Sequence, residues 1–442
     1  MQKWFVEFRR FEGTLTRGDE YVNVLFGAAV ADTGEIQITL DPIARTRESR
    51  FITEHWEGEE SEFGKFVLHG SASDGAVLHT DDLFFTTLNL SWAGEAGTMR
   101  PAADCTVARF TLPKSQEDQD GIRLLLRGLI VRRPLASETH IGLVTVSQIT
   151  ANPRPGQISG EIRLSNIDSS AEQVDWLGKV DMLLEDLRHA LSFALGMMIT
   201  GPIREVVAGD QRTLLVYSSR SECVPFMAPF QPNSLQTIFA AALRAHIDSP
   251  GRLRALHFAI TWLVMDAPYS EGRLIAAMTA LENLISVHLD KRDSFMQSES
   301  QASKLRKAVR AAAQAYAEAN VEDISDRARL LSALEVKMPE LNRRTLREKI
   351  DILAQRWSVS MVDLNTEMID AAKKARDLIV HTGTFPSDSE SELGAFNHMI
   401  VARELVVRFI LAALNYDGTY GSYVGSYHKR EFANGRNERS TW

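Results

Sequence analysis

The chain has 442 residues, 44% hydrophobic and 24% charged, a composition ordinary for a folded protein and long enough for two or three domains with packed cores. Two cysteines, Cys105 and Cys223, are too few for a disulfide framework or a cysteine-based metal site, and they fit a reducing cytosol. The net charge of −9 argues against a general nucleic-acid coat protein, so an RNA ligand would need local basic patches against a repulsive field.

The first segment, Met1-Gln2-Lys3-Trp4-Phe5-Val6-Glu7, carries no apolar h-region, and no signal peptide is expected. No uninterrupted apolar run approaches the ~18 residues of a membrane span. The next stretch, to about residue 165, reads as β-rich. Strands are expected at Trp4–Phe8, Val22–Val30, Glu35–Leu40, Lys65–His69, Leu83–Trp92, Thr106–Leu112, Ile122–Ile130, Ile141–Ile149 and Glu161–Ser165. Glu35-Ile36-Gln37-Ile38-Thr39-Leu40 alternates with period two, as a half-buried strand does. So many short strands suggest a sandwich or an open barrel.

A helix is expected over 173–199, with Val180, Leu184, Leu187 and Leu191 forming one apolar stripe. Ile203–Val207 and Thr213–Tyr217 read as a returning strand pair. Three prolines in Pro225-Phe226-Met227-Ala228-Pro229-Phe230-Gln231-Pro232 mark the expected domain boundary. Asn233 or Ser234 would cap the next helix. Helical periodicity then continues over roughly 235–247, 251–265, 270–289, 300–318, 325–335, 344–356, 363–381 and 389–414, with a Ser387…Glu390 capping-box spacing before the last helix. That last helix is apolar nearly all round, which places it at the centre of a bundle or in a dimer interface. The tail, rich in Gly, Ser and Tyr, reads as mobile. The expected organisation is α+β: a β-rich region over 1–232, a helical bundle over 233–415 and a flexible tail over 416–442.

The chemistry concentrates in Lys373-Lys374-Ala375-Arg376-Asp377-Leu378-Ile379-Val380-His381-Thr382-Gly383. Met368, Ala372, Ala375 and Ile379 would pack one face of a helix that Gly383 and Pro386 end. Histidine exchanges its proton near neutral pH, which suits His381 to general acid–base work. An always-charged Arg376 could fork onto phosphate oxygens. Asp377, at i, i+4, could fix the tautomer of His381. On an ideal helix five residues rotate by about 140° net, so Arg376 and His381 would not align unless the helix loosens or two chains share a site. The arginine–histidine spacing alone is weak, since Arg50…His55, Arg133…His140 and Arg252…His257 come close to it.

In this setting the motif resembles that of the HEPN ribonucleases, which carry Arg, a polar residue and then His late in an all-helical domain, before a last apolar helix. The match covers about residues 235–414, and Leu281-Glu282-Asn283 fits the Leu-Glu pair of an earlier helix in that family. The whole layout is similar to ApeA-type prokaryotic antiphage proteins. The resemblance implies a cytoplasmic, metal- and cofactor-independent endoribonuclease of the toxin or abortive-infection kind. Its RNA (tRNA among the candidates) would be cut by 2′-OH attack. Arg376, Asp377 and His381 would be catalytic, Glu282 would support them, and Lys373 and Lys374 would touch RNA. It further implies a homodimer through the helical domain, and a phage or cellular trigger sensed by the β-rich region. Two other readings compete: a non-catalytic dimerisation or binding adaptor, in which Arg376 pairs with an acid on a neighbouring helix and His381 caps its own, and a ligand-binding β module using Trp4, Trp56 and Trp92. The basic clusters at Lys304, Arg306, Lys307 and Arg310 and at Arg343, Arg344, Arg347 and Lys349 read as solvated helix faces.

Overall fold

Alternating burial organises the N-terminal strands: Ile36, Ile38 and Leu40 are buried while Gln37 and Thr39 are exposed. The structure is a computed structural model that describes residues 4–44, 47–56, 65–93, 96–165, 173–218, 224–385 and 394–433. Its elements in the first 250 residues are β1 (Trp4–Arg17), β2 (Glu20–Ala31), β3 (Ile36–Leu40), β4 (Ile43–Ala44), α1 (Arg47–Trp56), β5 (Phe66–Ser71), β6 (Val77–Ala93), β7 (Ala96–Asp104), β8 (Val107–Pro113), β9 (Gly121–Arg127), β10 (Leu135–Thr139), β11 (Gly142–Gln148), β12 (Ile158–Ser165), α2 (Gln173–Leu195), β13 (Thr200–Ala208), β14 (Gln211–Tyr217) and α3 (Gln236–Asp248).

The fourteen strands pair in the order β10-β11-β12-β9-β13-β14-β8-β6-β5-β1-β2-β3-β7-β4, and β6 also pairs with β7. That extra pairing closes β1, β2, β3, β7, β6 and β5 into a circuit, an antiparallel barrel with no free edge between those six. β6 makes this possible by being long. Its start, Val77–His79, lies between β5 and β8, and its later part, from Phe84 onward, pairs with β7. Phe11 stacks on Phe26 at 5.2 Å inside this core, and Phe66 meets Phe85 and the α1 residue Phe51 edge-on at 5.1 and 5.9 Å. Gly13 sits where β1 and β5 nearly touch: an added Cβ would lie 2.0 Å from the His69 carbonyl oxygen. Gly13→Ala is therefore expected to cost about 1–3 kcal/mol, read from the shift of the urea midpoint.

α2 buries the expected stripe of Val180, Leu184, Leu187 and Leu191. β13 and β14 join the same sheet between β9 and β8, so the helix and strand pair do belong to the N-terminal region. The domain boundary moves. The compact units are Met1–Pro250 and Gly251–Trp442, not a division at 232/233. The proline-rich segment is docked rather than a linker: the Phe226 and Phe230 amides donate to the Gly196 and Ala194 carbonyls, and Phe230 is buried against Phe193. α3 follows it into the first unit, held by His246 Nδ1 at 2.6 Å from the buried Asp186 carboxylate of α2. Neither Asn233 nor Ser234 caps α3. Leu235 occupies that position, and the Ser234 hydroxyl donates to the Gln231 carbonyl instead.

The second unit is helical: α4 (Pro250–Val264, its first residue shared with the boundary), α5 (Ser270–His288), α6 (Glu299–Asn320), α7 (Ile324–Lys337), α8 (Leu346–Arg356), α9 (Thr366–Thr382) and α10 (Gly394–Ala413). α10 is buried from Val401 to Ala413 and packs on α5 and α9, so it is the centre of the bundle within one chain. Ser387 and Glu390 lie outside the described residues. The expected mobile tail over 416–442 is corrected for its first part, and 434–442 lie outside the described residues. Residues 418–432 form a hairpin, β15 (Gly418–Ser422) with β16 (His428–Phe432), pinned because Tyr416, Tyr420 and Phe432 bury their rings.

Candidate functional site

α9 begins where Asn365 Oδ1 accepts the Met368 amide at 2.8 Å. Its buried face is Ile369, Ala372, Ala375 and Ile379, with Met368 only half-buried. Gly383 closes it in the left-handed region, φ 80°, its amide donating to the Ile379 carbonyl. The helix stays regular through His381 and Thr382, so it does not loosen between the arginine and the histidine.

Arg376 turns toward α5. One terminal nitrogen donates to both Glu282 carboxylate oxygens at 3.1 and 3.2 Å, and the other donates to Asp377 Oδ1 at 3.0 Å. Asp377 also faces Lys373, whose ammonium is 3.5 Å from Oδ2. Two cations thus balance two carboxylates in a partly exposed network. Its Arg376 fork is aimed by charge-assisted bonds, and the buried Arg376 Nε has no partner among the described residues. Lys374 and His381 stand outside the network, exposed to solvent.

The structure thus brings Arg376, Asp377, Glu282 and Lys373 together and leaves His381 apart. The expected Asp377–His381 contact is not made. Asp377 turns to Arg376 and Lys373, and His381 has no hydrogen-bond or ion-pair partner among the described residues. Leu378 and Val380, in the last turns of α9 with His381, are exposed. Asn283, next to Glu282 and given no role by the motif, has a buried side-chain oxygen that lacks a partner among the described residues. Its only sequence signal is adjacency to the Leu-Glu pair.

Other candidates resolve more simply. His398, on α10, is half-buried edge-on to Phe385 at 5.9 Å, and burial lowers its pKa. Burial also pushes the Cys105 thiol up to about 12, which leaves it protonated and a poor nucleophile. Arg306, Arg310, Arg343, Arg344 and Arg347 each pair with a nearby carboxylate, as solvated helix faces do. Trp4 is 38% exposed on β1, and the side chains of Trp56 and Trp92 lie outside the described residues. Among the described residues no group of three or more His, Cys, Asp or Glu is placed to hold a metal ion, and no helix is long and apolar enough to cross a membrane.

Comparison of the chain with protein-family models, with curated proteins and with solved structures finds no match.

Proposed function

We propose that the chain is a HEPN-type endoribonuclease, a cytoplasmic antiphage or toxin effector that cuts cellular RNA, tRNA among the candidates, without a metal. The observation that carries this reading is the end of α9: a guanidinium aimed by two carboxylates, followed by an exposed, unpartnered imidazole at the helix terminus. RNA brings its own nucleophile. His381 would take the 2′-OH proton as O2′ attacks phosphorus, and the P–O5′ bond would break as O5′ gains a proton. Arg376 would hold the phosphate oxygens as their charge grows. The products are a 2′,3′-cyclic phosphate and a 5′-OH. Lys373 and Lys374 would attract the RNA backbone. The β-rich region would sense a phage or cellular trigger.

His381 and Arg376 diverge by about 140° on a continuous helix, so we place each active site between two chains of a homodimer. The exposed Leu378 and Val380 beside His381 suit such a contact. The test is complementation. Arg376→Ala and His381→Ala proteins, each inactive alone, are mixed after dissociation. Random pairing should restore about a quarter of wild-type cleavage, since half the dimers then carry one intact site of two. No recovery from a mixture shown to contain heterodimers would sink the shared site.

A second reading has its own observation. The Arg376–Glu282 pair joins two neighbouring helices, as it would in a bundle that binds and does not cut. That reading predicts that Arg376→Ala loosens the bundle while no preparation cleaves RNA.

A further inference from the structure

α6 and α7 form a hairpin with little cover. Of the 22 residues of α6 only Ala302 and Ala317 are buried, and α7 has no buried residue. Helix stability in water comes mainly from burying one apolar face, and this pair leaves much of its apolar surface in solvent: Tyr316 is 62% exposed, Ile324 78% and Val336 72%.

The exposed surface of α6 is patterned. Leu305, Ala308, Ala312, Ala315 and Ala319 recur at spacings of 3, 4, 3 and 4, all exposed, on a different face from the buried Ala302 and Ala317. Charge is distributed unevenly along α6 and into the start of α7, while the rest of α7 carries Arg327, Arg329, Glu335 and Lys337, and Arg306 and Arg310 already pair with Glu299 and Glu335. Between 300 and 310 there are four bases (Lys304, Arg306, Lys307 and Arg310) and no acid. Between 311 and 326 there are four acids (Glu318, Glu322, Asp323 and Asp326) and no base.

We infer that α6 docks antiparallel against α6 of a second copy of this chain. A two-fold axis at Ala311 lays the Glu318 end of each α6 on the Lys304 end of the other, the self-complementarity an isologous contact requires. Lys304, Ala311 and Glu318 are spaced by seven and flank the stripe on one side. In the antiparallel pair that flank meets its own counterpart, so Lys304 of one copy stands level with Glu318 of the second. Alanines along the seam let the two backbones approach closely. RNA does not match this surface, because half of it would repel phosphate. The contact is separate from α9 and does not rest on the ribonuclease reading.

The experiment is sedimentation equilibrium of the full chain as wild type, Lys304→Glu, Glu318→Lys, the double variant, and an equimolar mixture of the two single variants. These positions are solvent-exposed, and a cooperative thermal transition with the wild-type helix content confirms that each variant folds. Wild type should self-associate through α6, as a pair where this is the one contact between copies and beyond a pair where the α9 contact also forms. Each single variant replaces two attractions with two repulsions, raising the dissociation constant at least roughly tenfold. The double variant and the mixture again place opposite charges together and should return to the wild-type constant. A wild type that does not self-associate, or association with the same constant in every sample, overturns the inference. The readout is assembly, so loss of the ribonuclease reading leaves it intact.

Discussion

His381→Ala is expected to lower the proposed RNA cleavage by about 10²–10⁴-fold, the effect of losing a group that moves a proton in the rate-limiting step, and to leave the thermal midpoint unchanged. The two halves of this expectation have separate causes. His381 is exposed and holds no hydrogen bond or ion pair among the described residues, so alanine there removes no packing. Any activity lost is then chemical. A stabilised helix end predicts the opposite pattern: a charged histidine at a helix C-terminus is worth about 0.3–1 kcal/mol when exposed, so alanine would lower the midpoint slightly and leave cleavage alone. Arg376→Ala is a less clean probe. It takes the shared cation from Glu282 and Asp377, and the loss of the α5–α9 ion pair disturbs the bundle as well as the reaction.

Glu404→Ala unfolds the helical unit more readily than any surface change, by about 3–5 kcal/mol. α10 carries Glu404 and Arg408 into the bundle centre, where they are 4% and 1% exposed, with Arg408 Nε 2.9 Å from Glu404 Oε1. Arg408 also donates to the Ser360 and Val362 carbonyls at 2.7 and 2.9 Å, and the Tyr420 hydroxyl donates to Glu404 at 2.6 Å. Burial and the adjacent carboxylate push the Tyr420 hydroxyl well above the ordinary phenol range, so it stays a neutral donor. Alanine at 404 strands a buried guanidinium, which is costlier than losing the pair. Replacing both Glu404 and Arg408 with methionine should therefore be less damaging than Glu404→Ala alone. Urea unfolding checks the order. A double variant weaker than the single would show that the network, rather than the stranded charge, sets the cost.

The helices were legible because a 3.6-residue period repeats over several turns, and their ends agree with the structure to within a few residues except at α10, whose approach lies outside the described residues. Strands were harder. β1 was expected to stop at Phe8 because Arg9, Arg10 and Glu12 break its apolar alternation, yet it runs to Arg17 between two partners. β7 hid behind Gly97 and Pro101, and β10 is a short polar edge strand. α1 and the two-residue β4 sit in a stretch whose charges obscured both periods. Barrel closure depends on β6 serving two neighbours in succession, and a period-two pattern carries no information about partners. At the site, the arginine, acid and histidine were visible as a motif on a helix that a glycine ends. The direction of Arg376 was not, because it depends on where α5 packs. Even the divergence of Arg376 and His381 followed from helical rotation alone.

The most direct measurement is the chemistry of the ends left when purified wild type meets total cellular RNA in excess EDTA, with and without lysate from phage-infected cells. Cleavage that persists in the chelator and leaves a 2′,3′-cyclic phosphate and a 5′-OH is expected. Intact RNA under both conditions with folded protein, or ends bearing a 3′-OH and a 5′-phosphate, would contradict it.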